Sequence, residues 1–159
     1  MENERKTDRS AGMGMDEHRL SDILLASQIK ATDIYETPPQ IIWIDNSTIA
    51  TLGNFSASTG KAKSKKTFNV SALVAASLAG KQVLNYRAHL PEGKQRILYV
   101  DTEQSRFHCR SVLERILRLA GLPTTTDPEN LDFFCLREYS PSVRVEVIDY
   151  ALRQNKGYG

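Results

Sequence analysis

Lysine, glycine and hydroxyl residues crowd into one short stretch of this chain: Gly60, Lys61, Ala62, Lys63, Ser64, Lys65, Lys66, Thr67 and Phe68. The spacing follows G-x-x-x-x-G-K-[ST] at every position except the second glycine, which is Lys65. A loop of this kind binds phosphate because successive backbone N–H groups wrap the anion. A lysine then reaches the terminal phosphates, and a Ser or Thr hydroxyl holds Mg²⁺. A register starting at Gly53 would bring Gly60–Lys61 two residues too late and put Ala62 where the hydroxyl must be. The register starting at Gly60 is therefore adopted. Lys66 then contacts the β- and γ-phosphates, Thr67 holds Mg²⁺, and 60–68 forms the cradle for ATP. Glycine at the second position allows close approach and unusual dihedrals, so Lys65 either alters the loop path or adds charge at the phosphates. The plainer alternative is a surface loop whose four lysines touch nucleic acid through charge alone.

A second group of chemically capable residues follows. Ile97-Leu98-Tyr99-Val100-Asp101-Thr102-Glu103 is an apolar strand that delivers two carboxylates at its carboxyl end, the end at which ligands sit in open α/β sheets. Side chains alternate along a strand, so Asp101 and Glu103 can point the same way. Asp101 suits the Mg²⁺-associated acid of a simple P-loop ATPase. The bland alternative is a pair of solvated acids at a strand end. The remaining polar residues form no comparable constellation. Arg106, Arg110, Arg115 and Arg118 read as a solvated helix face with Glu114–Arg118 as an i,i+4 pair. The histidines match no metal or catalytic pattern, and Cys109 and Cys135 read as buried free thiols.

The elements that must position these groups can be read from periodicity and punctuation. Residues 1–15 carry no apolar periodicity and read as a disordered tail. An amphipathic stretch runs from Asp16 to Tyr35 and is broken by Pro38–Pro39. Ile41–Ile44 and Ser47–Leu52 flank the turn pair Asp45–Asn46 as a hairpin, which completes an extension over 16–52. Asn54–Thr59 reads as a short strand running into Gly60. Thr67–Ala79 is helical and apolar nearly all round, hence buried. Gln82–Gln95 reads as a mostly polar connection. Ile97–Val100 follows as a strand, then a helix from the cap Ser105 to Ala120, closed by Gly121 and Pro123. Leu131–Leu136 is the next strand, and Ser140–Pro141 starts a last helix that runs to about Asn155. From Asn54 the strand–helix alternation predicts a mainly parallel sheet with helices on its faces, over a core of 53–159.

With these residues in view, the segment Gly53–Pro123 resembles the RecA-like ATPases of the hexameric RepA helicase group, found on plasmids and other mobile elements. The carrying features are the run Gly60–Phe68, the run Ile97–Glu103 and the arginine-containing helix after Glu103. The resemblance implies a RecA-like α/β fold with helices on both faces of the sheet. It also implies Mg²⁺-dependent ATP hydrolysis with Glu103 as the catalytic carboxylate, work on DNA in unwinding or replication, and a homohexameric ring. It further implies that a strand carrying the Mg²⁺-associated acid follows the last helix, so the 159 residues read as an N-terminal part that is inactive alone.

Bulk composition excludes little beyond this. An apolar share of 40%, a charged share of 25% and a net charge of +2 fit a globular protein and single out no polyanionic partner. Apolar runs are too short to cross a bilayer, and two cysteines without CxxC spacing suggest a reducing, cytoplasmic setting. Two rival expectations stand beside the ATPase. One is a non-enzymatic module that grips nucleic acid through Lys61–Lys66. The other, less favoured for want of a lid-like arginine segment, is a small-molecule kinase.

Overall fold

The computed structural model describes residues 16–61 and 64–158. The expected tail at 1–15 therefore lies outside the described residues. The chain divides into two compact units, Met1–Thr37 and Pro38–Gly159.

In the first unit, Asp16 caps helix α1 (Glu17–Ser27) by accepting from the His18 N–H. The amphipathic stretch was expected to reach Tyr35, but the helix stops at Ser27. Beyond it the Asp33 carboxylate takes the Lys30 N–H at 2.8 Å and the Tyr35 hydroxyl at 3.0 Å. This side-chain capture offers the backbone an alternative to the helix ladder. None of the α1 residues is buried.

The second unit opens with the expected hairpin. Strands β1 (Gln40–Ile44) and β2 (Ser47–Thr51) pair antiparallel across a turn in which Asp45 takes a left-handed φ of 51°. Helix α2 (Lys66–Ala79) follows the lysine-rich loop. A three-residue strand, β3 (Tyr86–Ala88), then pairs antiparallel with β1. Strand β4 (Ile97–Asp101), helix α3 (Arg106–Ala120) and strand β5 (Leu131–Cys135) form one parallel β-α-β unit in register Ile97↔Leu131 through Asp101↔Cys135. Helix α4 (Pro141–Gln154) follows. Past it, Tyr158 forms an isolated parallel bridge to Arg96, just before β4.

This architecture corrects the expected fold class. The protein is a small α/β protein with a three-stranded antiparallel sheet, ordered β2-β1-β3, and a two-stranded parallel sheet, β4-β5. It is not a mainly parallel RecA-like sheet. Two local causes account for the difference. Asn54–Thr59 forms no strand: Asn54 Nδ2 donates to Thr51 Oγ1 at 2.7 Å, Ser56 Oγ donates to the Ile49 carbonyl, and Phe55 is 95% exposed. Within the supposed polar connection, Val83 and Tyr86 exchange backbone hydrogen bonds around a left-handed Leu84. That tight turn sends Tyr86–Ala88 back along β1.

The core forms where the small-residue face of α2 (Ala72, Ala75 and Ala76, all fully buried) meets α3 at Val112, Ile116 and Ala120. Tyr86 and Ala88 of β3 and Leu131 of β5 complete it. Alanine on α2 lets the helices approach closely, so the larger α3 side chains fill the gap. Truncating fully buried Ile116 to alanine would cost about 2–5 kcal/mol by this geometry. α3 ends at Gly121, whose φ of 77° permits the Leu122 N–H to reach the Leu117 carbonyl at 2.8 Å.

Candidate functional site

The loop enters α2 through Lys65, which takes φ 60° and ψ 23° and provides no side-chain cap. The residue that stands in for glycine thus adopts the left-handed conformation glycine would favour, at a strain of roughly 1–2 kcal/mol. The uncapped first-turn N–H groups are the kind that receive anions. Gly60 fits closely against the returning chain: a Cβ there would lie 2.5 Å from Ser64 Oγ and 3.2 Å from Ser64 Cβ. Lys66 closes the loop on itself. Its Nζ donates to the Gly60 carbonyl at 2.6 Å and, more weakly, to that of Lys61 at 3.5 Å. Thr67 is exposed, and its carbonyl accepts from the buried Ser71 hydroxyl at 2.7 Å, which fixes the first turn. Ala62 and Lys63, also expected in the cradle, lie outside the described residues.

Asp101, 8% exposed, ends β4. One carboxylate oxygen accepts from the Glu103 and Gln104 N–H groups at 2.9 and 2.8 Å, and the other accepts from Gln104 Nε2 at 2.8 Å. The aspartate therefore shapes the turn into α3, whose cap is Ser105. Glu103 is exposed beyond it. Lys66 and Thr67 line one cleft of about 260 Å³ together with Asp101 and Glu103. The two sequence-derived groups are thus brought together. Mg²⁺ takes oxygen ligands and commonly binds through one or two carboxylates plus phosphates. Thr67 and Asp101 offer only oxygen donors on one cleft, the chemistry Mg²⁺ takes, although both Asp101 oxygens also accept from the turn.

A second, larger cleft of about 550 Å³ lies against the loop, lined by Ser64 to Phe68 and by Arg115. Arg115 was read from sequence as part of a solvated face. That reading fits Arg110 and Arg118, which pair with Glu114 at 3.0 and 3.6 Å. Arg115 instead flanks Ile116 and stands three residues after Val112, both buried. On a helical projection this turns it toward the packed side, a signal that was available in the sequence.

Behind the cleft, the Cys109 and Cys135 thiols both point at the Gln104 carbonyl, at 3.8 and 3.4 Å. Both are free, as expected; Cys109 is buried, but Cys135, expected to be buried too, is only partly so. Burial, reinforced by Cys135 and the Asp101 charge, pushes the Cys109 thiol up to about 12, so it stays protonated and unreactive at neutral pH. Burial and Asp101 also raise the Tyr99 hydroxyl, whose ring stacks on Phe133 at 4.3 Å. Among the described residues no helix is long and apolar enough to cross a membrane.

Comparison of the chain with protein-family models, with curated proteins and with solved structures finds no match.

Proposed function

We propose that the loop Gly60–Phe68 binds ATP with Mg²⁺ and that the chain takes part in its hydrolysis. The observation that carries this reading is the shared cleft: Lys66 and Thr67, which begin α2, line it together with Asp101, which ends β4, and Glu103 just beyond. In this reading, first-turn N–H groups and Lys66 hold the phosphates, while Thr67 and Asp101 hold Mg²⁺, which supplies charge neutralisation at the phosphate oxygens. Glu103, exposed in the same cleft, orients the attacking water by accepting its hydrogen bond. Phosphoryl transfer needs little more than such positioning and charge stabilisation. The likeness of the two sequence runs to those of RepA-type hexameric helicases supports work on DNA as the biological output, with a ring of copies as the assembly.

A second reading is favoured by one observation. Both Asp101 oxygens are already engaged within the turn, which suits a module that grips nucleic-acid phosphate through the basic loop without turnover. Lys66→Ala separates the two. For a nucleotide site it weakens ATP binding at least about tenfold, the loss of a charge-assisted contact, and Lys61→Ala does much less. Equal losses from both variants would leave only a general basic patch. In the protein as it turns over ATP, Glu103→Gln lowers the rate steeply with affinity nearly retained. A silent Glu103→Gln would remove the water-orienting role.

A further inference from the structure

Lys66 and Thr67 line two clefts at once, and the two differ in chemistry. The smaller cleft carries the carboxylates Asp101 and Glu103. The larger is lined by Lys65, Phe68 and Arg115 and, among the described residues, by no carboxylate. A triphosphate laid across Lys66 and Thr67 has two unlike ends, so the clefts give it a direction. The terminal phosphate belongs with the oxygen donors of the smaller cleft. The opposite end then enters the larger one, whose volume of about 550 Å³ is about twice that of the other and lies in the range of small-molecule sites.

The larger cleft suits a planar heteroaromatic group joined to a phosphate. Phe68, 40% exposed, offers an apolar ring at its wall. Arg115 offers a flat cation that stacks on aromatic faces and pairs with phosphate oxygens. Among the described residues Arg115 makes no hydrogen bond or ion pair, whereas Arg110 and Arg118 on the same helix are both tied to Glu114. Its half-buried charge converges with Lys65 and Lys66 on one space, and an anion there relieves the repulsion.

We propose that this cleft is the nucleoside subsite, with the base against Phe68 and Arg115 closing over the base and its adjoining phosphate. The inference rests on the nucleotide reading of the loop and adds that a nucleoside, beyond a bare polyphosphate, is recognised. The test compares affinities of the full chain for ATP and for inorganic tripolyphosphate, both with Mg²⁺. Base stacking predicts a preference of at least about tenfold for ATP. Phe68→Ala and Arg115→Ala should each bring the ratio within about threefold of unity, and Phe68→Tyr should keep it, because a ring remains to stack. Equal wild-type affinities, or a ratio that survives both alanine variants, would overturn the subsite while leaving the phosphate loop in place. If neither ligand binds, the loop reading falls and takes the subsite with it.

Discussion

Asp101 illustrates how one side chain can serve a turn and still stand beside a candidate site. Its carboxylate gathers two backbone N–H groups and one side-chain amide within three residues. Removing it leaves those donors without their acceptor in a half-buried turn, a loss of about 1–3 kcal/mol. Asp101→Ala should therefore lower thermal stability, read by circular dichroism, even with no nucleotide present. A variant as stable as wild type would mean that the turn holds without it and that the carboxylate serves the cleft alone. The sequence disclosed the residue and its strand-end position, because a short continuous apolar run ending in acids is readable along the chain. It did not disclose the hydrogen bonds, which depend on the chain turning back at Gln104. Lys65 was legible only in part: its departure from glycine is plain, but its left-handed φ follows from how the loop meets α2.

At the scale of elements, the β4-α3-β5 unit was readable almost residue by residue, since caps, stops and apolar runs all agreed there. Besides the early stop of α1 at Ser27, the two failures were short or polar. β3 has only Tyr86 and Ala88 directed into the core, too few to register as alternation over four or more residues. Asn54–Thr59 reads as a strand along the chain, yet its amide and hydroxyl side chains bond locally. The parallel pair is also tied at its start: Arg96 grips Asp132 through two hydrogen bonds, 2.6 Å from Nε and 2.8 Å from Nη2, and Tyr158 donates to the same carboxylate. Arg96, and secondarily Tyr158, hold the Asp132 carboxyl below its ordinary 3.8 against the opposing effect of burial. A depressed carboxylate stabilises the fold fully above that ordinary value and loses the contribution as pH falls through the lowered one. Asp132→Asn should then melt below wild type at pH 7, and the gap should close as the pH drops below about 3.8. A gap that persists unchanged into strong acid would mean that shape, not ionisation, makes Asp132 matter.

For the whole molecule, strand–helix alternation conveyed α/β character but not how the strands group. Sheet membership is decided by contacts between distant segments, and β1 finds β3 across the entire length of α2. A pattern read along the chain does not encode that pairing. The division between Thr37 and Pro38 has a direct consequence for stability. Helix α1 buries none of its own residues. A chain starting at Pro38 should melt within about 2 °C of the full protein, less than the roughly 2–4 °C that accompanies 1 kcal/mol in a domain near this size. A larger drop would assign the first unit a stabilising role.

The lysine that closes its own loop has a thermodynamic corollary. With Lys66 donating to the Gly60 carbonyl, its ammonium is turned into the loop. If the loop binds phosphate as proposed, the anion exchanges one acceptor for another instead of ordering a loose side chain. The rotamer entropy usually lost at that step, about 0.5–1.5 kcal/mol for such a residue, has been spent during folding. Binding at this loop should accordingly announce itself more in heat than in entropy.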